Sequence, residues 1–269
     1  MSCSIEKCRY GSMMGLGHPC RKGCAHPKEE NMKKKIVIFS GAGVSRESGV
    51  LTFRDCKDGL WNNHKIEDVA TPQGWSKNRE RVLEFYNERR QQLPNVEPND
   101  AHKVIAKLEE DYDVVVVTQN VDDLHERGGS TNVIHLHGEL TKARGCYNNP
   151  NNRWDNQYIT YDIGYNDINI GDKCAETDSQ LRPHIVWFEE YPLRVDEAAD
   201  AIRKADVLIV IGTSLQIGYT LSLLGSTNAK KVYYVDPEPM KYLDNLGLEV
   251  EYINKVATEG IVEVIEKLK

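Results

Sequence analysis

Residues 40–55 read SGAGVSRESGVLTFRD and directly follow the apolar run Ile36–Phe39. A glycine-rich turn after such a run brings backbone N–H groups and a helix N-terminus up to a phosphate. Gly41 and Gly43 permit the tight turn and the close approach, whereas Arg46 stands where a G-x-G-x-x-G fingerprint needs its third glycine. Ordinary turns share this pattern. The tail Thr52-Phe53-Arg54-Asp55 adds a polar, aromatic and charged cluster that a phosphate loop does not require. Asn120 and Asp122 follow a second apolar run, Val114–Thr118, at the end where open α/β sheets hold ligands. The plain alternative is a strand-end Asn and a helix-capping Asp. His135 and His137 are two apart on a strand-like stretch and point to one side. An imidazole with its ordinary pKa of ~6.5 accepts a proton at neutral pH. Tyr86 and Arg89 are three apart on a predicted helix and share a face. Arginine there grips a carboxylate through paired, charge-assisted hydrogen bonds; the alternative puts Tyr86 on the apolar face and Arg89 in solvent.

The elements that must position these residues alternate. Strand-like runs are Lys35–Phe39, Val114–Thr118, Val133–His135, Val207–Ile211 and Lys231–Val235. Helical patterns cover residues 79–93, 100–110, 194–204 and 258–268, the last with Thr258 as its expected N-cap. This rhythm predicts an α/β fold, a doubly wound parallel Rossmann-like sheet. Residues 56–98, helical and charged, and residues 141–180, polar with little period, fall outside it and are expected to be insertions forming a smaller lobe.

The 269 residues suit one large domain plus a smaller lobe. A net charge of −7 argues against nonspecific binding to nucleic acid or anionic membranes. No apolar run reaches the ~18–20 residues of a membrane span, and no signal-peptide core is visible at the N-terminus; a cytoplasmic location is expected. Seven cysteines do not suggest a disulfide scaffold. Cys3, Cys8, Cys20 and Cys24 crowd residues 1–31, a segment without hydrophobic period that precedes a domain over 32–269. That segment is expected to be a disordered extension; its alternative is a zinc knuckle from the four cysteines, with or without His18 or His26, in looser spacing than usual zinc patterns.

Together these residues resemble the sirtuin family, the NAD-dependent protein-lysine deacylases. The matching segments after residue 40 run in order: Thr118-Gln119-Asn120-Val121-Asp122 with Leu124-His125, then His135-Leu136-His137-Gly138-Glu139-Leu140, then Arg182–Phe188, then Gly212-Thr213-Ser214. The resemblance covers roughly residues 33–269. It implies that NAD is cleaved and not used as a hydride carrier, and that acyl-lysine proteins or peptides are the substrates. The products would be nicotinamide, O-acyl-ADP-ribose and free lysine. It implies His137 as catalytic base, and Asn120 and Asp122 as holders of the nicotinamide amide and its ribose. Phe53 would shield the reactive sugar. Gly41, Ala42, Gly43, Arg54 and Gln119 would line the NAD cleft, with Gly212, Thr213 and Ser214 on the phosphates or adenosine ribose. Asp236, where many members have Asn, would meet a ribose, and Ala257 would lie near the adenine. Ile185, Val186 and Phe188 belong to the implied substrate strand, supported by His184. His125 and His135 are expected to be structural, each bonded to a backbone carbonyl. Members that remove succinyl and malonyl groups carry a Tyr-x-x-Arg pair matching Tyr86 and Arg89. Alternatives are an ADP-ribosyltransferase or NAD hydrolase, or a noncatalytic NAD sensor.

Two departures stand out. Many members hold a structural zinc with two Cys-x-x-Cys pairs in the small lobe, but here Cys146 and Cys174 stand alone, with Asn149 and Thr177 three residues on. Two ligands do not close a tetrahedral site, so no metal is expected in that lobe. Glu189 replaces the usual Gly beside the peptide channel, where its charge would favour basic flanking residues or mark a substrate that is not an ordinary peptide.

Overall fold

A computed structural model describes residues 33–50, 60–61, 64–145 and 158–269. The readings on the first 31 residues, on Phe53 and Arg54, and on Cys146 lie outside the described residues.

Along the chain, β1 (Lys35–Ser40) is followed by the antiparallel pair β2 (Leu60–Trp61) and β3 (His64–Lys65). Then come α1 (Ile66–Val69), α2 (Pro72–Lys77), α3 (Arg79–Gln92), α4 (Asp100–Lys107), β4 (Asp113–Thr118), α5 (Leu124–Arg127) and β5 (Val133–His135). β6 (Gly138–Gly145), β7 (Thr160–Asp162) and β8 (Leu181–Ile185) precede α6 (Val195–Arg203) and β9 (Val207–Ile211). The chain closes with α7 (Gly218–Leu224), β10 (Lys231–Val235), β11 (Val250–Ile253) and α8 (Ala257–Leu268).

Six strands form the expected parallel sheet in the order β11-β10-β9-β1-β4-β5. Their Val- and Ile-rich sequences are buried on both faces, as parallel strands covered by helices must be. The period of two sorts them: Val37, Phe39, Val115, Val117, Leu208 and Val210 face α6 and α7. Ile36, Ile38, Val114, Val116, Ile209 and Ile211 face α4 and α8. Strand order reverses between β1 and β9, so the loops after these two strands open the crevice where such sheets bind ligands.

The second sheet corrects the reading of residues 141–180 as a stretch without period. It is antiparallel, in the order β7-β6-β8, and it starts before that stretch and ends after it. Its pattern is hard to read because register shifts between Glu139 and Ala143 break the alternation. Helices α1–α3 pack on it around Val82, Phe85, Tyr86, Leu140, Ile185 and Trp187. Buried Arg90 fastens α3 to β6, with Nε donating to the Leu140 carbonyl at 2.6 Å and Nη1 to Asn87 Oδ1 at 2.6 Å. β11 and α7 are also absent from the sequence reading.

Helix starts follow their caps: Asn78 accepts from Arg81 N at 3.0 Å and Asn99 from Ala101 N at 2.9 Å. The expected cap of α8 is different. Val256 holds the cap position, and Thr258 lies within the first turn. Thr258 N and Oγ1 donate to the Glu47 carboxylate at 3.1 and 2.8 Å. An acidic side chain from a remote turn thus supplies what a local hydroxyl was expected to give, and its charge suits the helix N-terminus.

Four histidines are held neutral. Burial pushes His102 down to about 4, with Glu126 opposing, and pushes His137 to about 4 and His184 to about 3. Burial also holds His125 well below its ordinary value, helped by His102, whose ring centroid lies 4.9 Å away. His135 moves the other way: burial opposes its charge, but Glu126, bonded at 2.7 Å, holds its pKa above the ordinary value. The unfolded chain titrates near ~6.5. Between about 6.5 and about 4 the unfolded state therefore binds more protons at the depressed sites, and stability falls as pH falls. His135 contributes the opposite sign, with stability present below ~6.5 and lost as pH rises through its raised folded value. Four against one, acidification from pH ~7.5 to ~5 is expected to lower the melting temperature by at least about 3 °C. In His102→Gln that drop should shrink; an undiminished drop in scanning calorimetry would refute the buried-histidine explanation.

Candidate active site

The site begins with a close contact between two loops. Gly41 N donates to the Ile211 carbonyl at 3.1 Å and Gly43 N to the Gly212 carbonyl at 2.8 Å. A Cβ on Gly41 would come within 2.6 Å of Thr213 Cβ, and one on Gly43 within 2.7 Å of Gly212 Cα. Gly212 itself has φ of +63°. This corrects the expectation of a phosphate cradle leading into a helix. The amides of Gly41 and Gly43 are engaged by protein carbonyls, and single 3₁₀ turns, Ala42–Val44 and Arg46–Ser48, follow β1. The glycines are needed first for loop-to-loop approach.

That approach places Ser45, a fully buried residue the sequence reading did not single out, between the two residues after β4. Asn120 Nδ2 donates to Ser45 Oγ at 3.0 Å, and Ser45 Oγ donates to Asp122 Oδ2 at 2.9 Å. Asp122 also accepts from Leu124 N at 3.2 Å, so it supports the start of α5 as well. Burial raises the Asp122 pKa, and the bonds from Leu124 and Ser45 oppose that rise. Asn120 is 5 % exposed, and its Oδ1 has no hydrogen-bond partner among the described residues. A buried amide oxygen without a donor costs on the order of 1–3 kcal/mol, so it marks a place for a ligand donor. Behind this row, Ser40 Oγ donates to Thr118 Oγ1 at 2.8 Å and meets His125 Nε2 at 2.9 Å. His125 is therefore bonded to a hydroxyl and not to the backbone carbonyl expected of it.

The two histidines around Leu136 divide. His135 reaches the Asn120 carbonyl with Nδ1 at 3.0 Å and Glu126 with Nε2 at 2.7 Å. Both partners accept, so both nitrogens donate and the ring carries charge. His137 is half-buried, and its Nδ1 lies 2.9 Å from the Gln119 carbonyl. A carbonyl only accepts, so Nδ1 holds the proton and Nε2 keeps the lone pair. With its pKa pushed down to about 4 by burial, His137 is a neutral base at physiological pH. Gly138 follows with φ of +84°, and a Cβ there would collide with the His184 carbonyl.

The carbonyl of His137 accepts from Val186 N at 2.9 Å, which joins this turn to the segment after β8. Ile185 is buried, Val186 half-buried, and Phe188 46 % exposed. Glu190 anchors the segment: it bonds Arg182 at 2.8 and 3.0 Å, Arg144 at 3.0 Å and Trp187 N at 2.9 Å. Glu189 has φ of +71° and accepts from Gln73 Nε2 at 2.7 Å. Tyr86 is buried in the cluster that holds Ile185 and Trp187, on the apolar face that the plain alternative also gives it, whereas Arg89 is buried and not in the solvent where that alternative puts it. Arg89 Nη1 donates to the Phe85 carbonyl at 2.7 Å, and its guanidinium lies 3.3 Å from the centre of the Phe85 ring. Burial raises the Tyr86 pKa, while the neighbouring Trp187, Arg182 and Arg89 favour its anion.

Gln119 links the two loop systems, because its Oε1 accepts from Thr213 Oγ1 at 2.8 Å. Ala42 and Ser214 are partly buried on the same loops. Asp236 is 1 % exposed and accepts from Glu238 N at 2.9 Å. Ala257 packs beside Val235 and Ile253, so these last two sit beyond β10 and away from His137 along the sheet. Tyr219, in no sequence motif, donates its hydroxyl to His137 Nε2 at 2.7 Å. Among the described residues, no group of three or more His, Cys, Asp or Glu is arranged to hold a metal, and no helix is long and apolar enough to cross a membrane.

A protein of Helicobacter pylori named NAD-dependent protein deacylase is 47% identical over 240 residues, which are 87% of this chain and 97% of that one. A crystal structure of a Sir2 homolog–NAD complex superposes with a TM-score of 0.71 at 34% identity, covering 88% of this chain and 90% of the other. A Sir2–p53 peptide–NAD+ complex gives 0.67 at 26% identity, covering 88% and 94%. Residues 41–218, which hold the glycine loop, the Asn120 row, His137 and the β9 loop, match the Sir2 family, and the chain belongs to that family.

Proposed function

We propose that this chain is an NAD-dependent protein deacylase that uses His137 as its base. The observation that carries the reading is the joint geometry of Asn120 and His137. Asn120, just past the end of β4, holds a buried, unpartnered Oδ1, and His137 offers a neutral ring with a fixed tautomer. Homologues named NAD-dependent protein deacylase and neighbours solved with NAD support the same activity and cofactor.

The residues present fit NAD. Asn120 Oδ1 accepts from an amide N–H, and Asp122, already bonded to Ser45, accepts from ribose hydroxyls. Gly41, Ala42, Gly43, Gln119, Gly212, Thr213 and Ser214 line the crevice, with Asp236 and Ala257 toward the adenosine side. When bound, NAD supplies a ribose carbon with nicotinamide as leaving group and a hydroxyl that receives the acyl group. His137 Nε2 would take the proton from that hydroxyl, because Gln119 holds the ring with its own proton on Nδ1. The bond between the His137 carbonyl and Val186 N keeps the base in register with the substrate segment Ile185–Phe188. Positioning and exclusion of water supply most of the rate.

For the acyl group, we propose that succinyl and malonyl chains are substrates as well as acetyl. Tyr86 lies buried in the cluster that includes Phe85 and Ile185, and buried Arg89 stacks on the Phe85 ring. A guanidinium held in that setting binds a carboxylate far better than one in solvent.

Mass spectrometry of acetyl-lysine and succinyl-lysine peptides with NAD tests the reading. Acyl loss with O-acyl-ADP-ribose formed is the expected result; NAD consumed with both peptides intact would replace deacylation by NAD hydrolysis. His137→Ala should keep NAD binding by calorimetry and lose turnover by at least about a thousandfold; full deacylation by this variant would remove His137 from the role. Arg89→Met should lower desuccinylation at least about tenfold, equivalent to ~1.4 kcal/mol, and leave deacetylation within about twofold. Equal loss of both activities would make Arg89 purely structural.

A further inference from the structure

The lone pair that makes His137 a base is already occupied. Tyr219 Oη lies 2.7 Å from Nε2, with the two rings edge-on and their centroids 6.0 Å apart. The direction of this bond is not ambiguous. The Gln119 carbonyl fixes the imidazole proton on Nδ1, so Nε2 accepts and the phenol donates. Burial holds the Tyr219 pKa above its ordinary value, against a hydrogen bond from Gln119, so the phenol keeps its proton. His137 is thus enclosed by neutral polar groups. The Gln119 carbonyl faces it from the end of β4 and the Tyr219 hydroxyl from α7, and no charged side chain among the described residues moves its protonation.

Tyr219 sits at the start of α7, beside open space. It is the second residue of α7, whose cap position, Ile217, supplies no side-chain hydrogen bond. A Cβ on the preceding Gly218 would meet nothing within 4 Å. Upstream, Leu215 holds φ of +54° and Gly212 of +63°, so the connection from β9 turns through two left-handed residues. Tyr219 also lines a cavity of about 470 Å³ between α6 and α7, with Tyr191, Val195, Ala199 and Leu223. That space has room for a phenol ring.

We propose that Tyr219 is a latch on the base: in the ligand-free enzyme its hydroxyl closes the His137 lone pair, and a substrate hydroxyl gains the base by displacing Tyr219 toward the cavity between α6 and α7. This rests on the reading of His137 as the base. Tyr219 acts through His137 and is a positioning residue. Its donated bond favours the neutral imidazole and sets the nitrogen that substrate must approach. Closing that nitrogen also shields it until the crevice is filled.

The test compares the full chain with Tyr219→Phe, which keeps the ring and removes the hydroxyl. An NMR titration of histidine-labelled, ligand-free protein should show the His137 midpoint rising by at least about one pH unit in the variant. At pH ~8, where both rings are neutral, kcat/KM for deacylation should rise about three- to tenfold, because the bond to be displaced is gone. An unmoved His137 midpoint would overturn the latch. A raised midpoint with lower kcat/KM would also overturn it, because the hydroxyl would then assist the reaction. The titration reads the bond without substrate, so its outcome is separate from the base assignment, which His137→Ala decides.

Discussion

The site depends on two backbone strands approaching more closely than side chains allow. Gly41 and Gly43 leave β1 against Gly212 at the end of β9, and amide-to-carbonyl bonds close the gap. Every later contact follows from that spacing. It sets Ser45 beside Asn120 and Asp122, and it brings Thr213 within reach of Gln119. Gln119 in turn holds His137. Widening the gap by one methyl group would shift the reversal point of the sheet, where the crevice opens.

The smaller lobe uses charge where the larger one uses close packing. Glu190 stands between Arg144 and Arg182, both buried, and also accepts from the backbone of Trp187. Two guanidiniums on one carboxylate leave net positive charge inside the lobe. Part of it is spread over aromatic faces: Arg182 lies 3.2 Å from the Trp187 ring centre and Arg144 3.9 Å from that of Tyr158. Buried ion pairs of this kind add little net stability but fix geometry. Here the geometry fixed is that of the segment from Ile185 to Phe188, whose Ile185 carbonyl accepts from both arginines.

Much of this was legible in the chain, and the reasons for the exceptions are physical. Runs such as Val114–Val117 declare buried parallel strands because both faces must be apolar. Gly138 after His137 is an intelligible motif, since a side chain there would strike the backbone of β8. The antiparallel sheet was missed because β7 has only three residues and the pairing of β6 with β8 shifts register between Glu139 and Ala143. The cap of α8 was assigned to Thr258 because propensity sees only neighbours, whereas Glu47 arrives from 211 residues away. Ser45 lies inside a motif that was read for its glycines, and its hydroxyl could have been weighed as a bridge between Asn120 and Asp122. Tyr219 had no signal at all. It belongs to no periodic pattern, and only the folded position of α7 brings it to His137.

The single bond from Val186 N to the His137 carbonyl gives this architecture an engineering constraint. One peptide unit follows His137, the proposed base, and hands its oxygen to Val186, in the proposed substrate channel. Side chains lining the channel can be exchanged freely only while that amide stays in place. A redesign that recasts the channel by inserting, deleting or bending backbone near residue 186 would also retune the base, so changes in acyl preference and in turnover would arrive together. Libraries aimed at a new acyl chain should therefore vary α3, which packs in one cluster with Ile185 and Trp187 and has no part in that backbone bond.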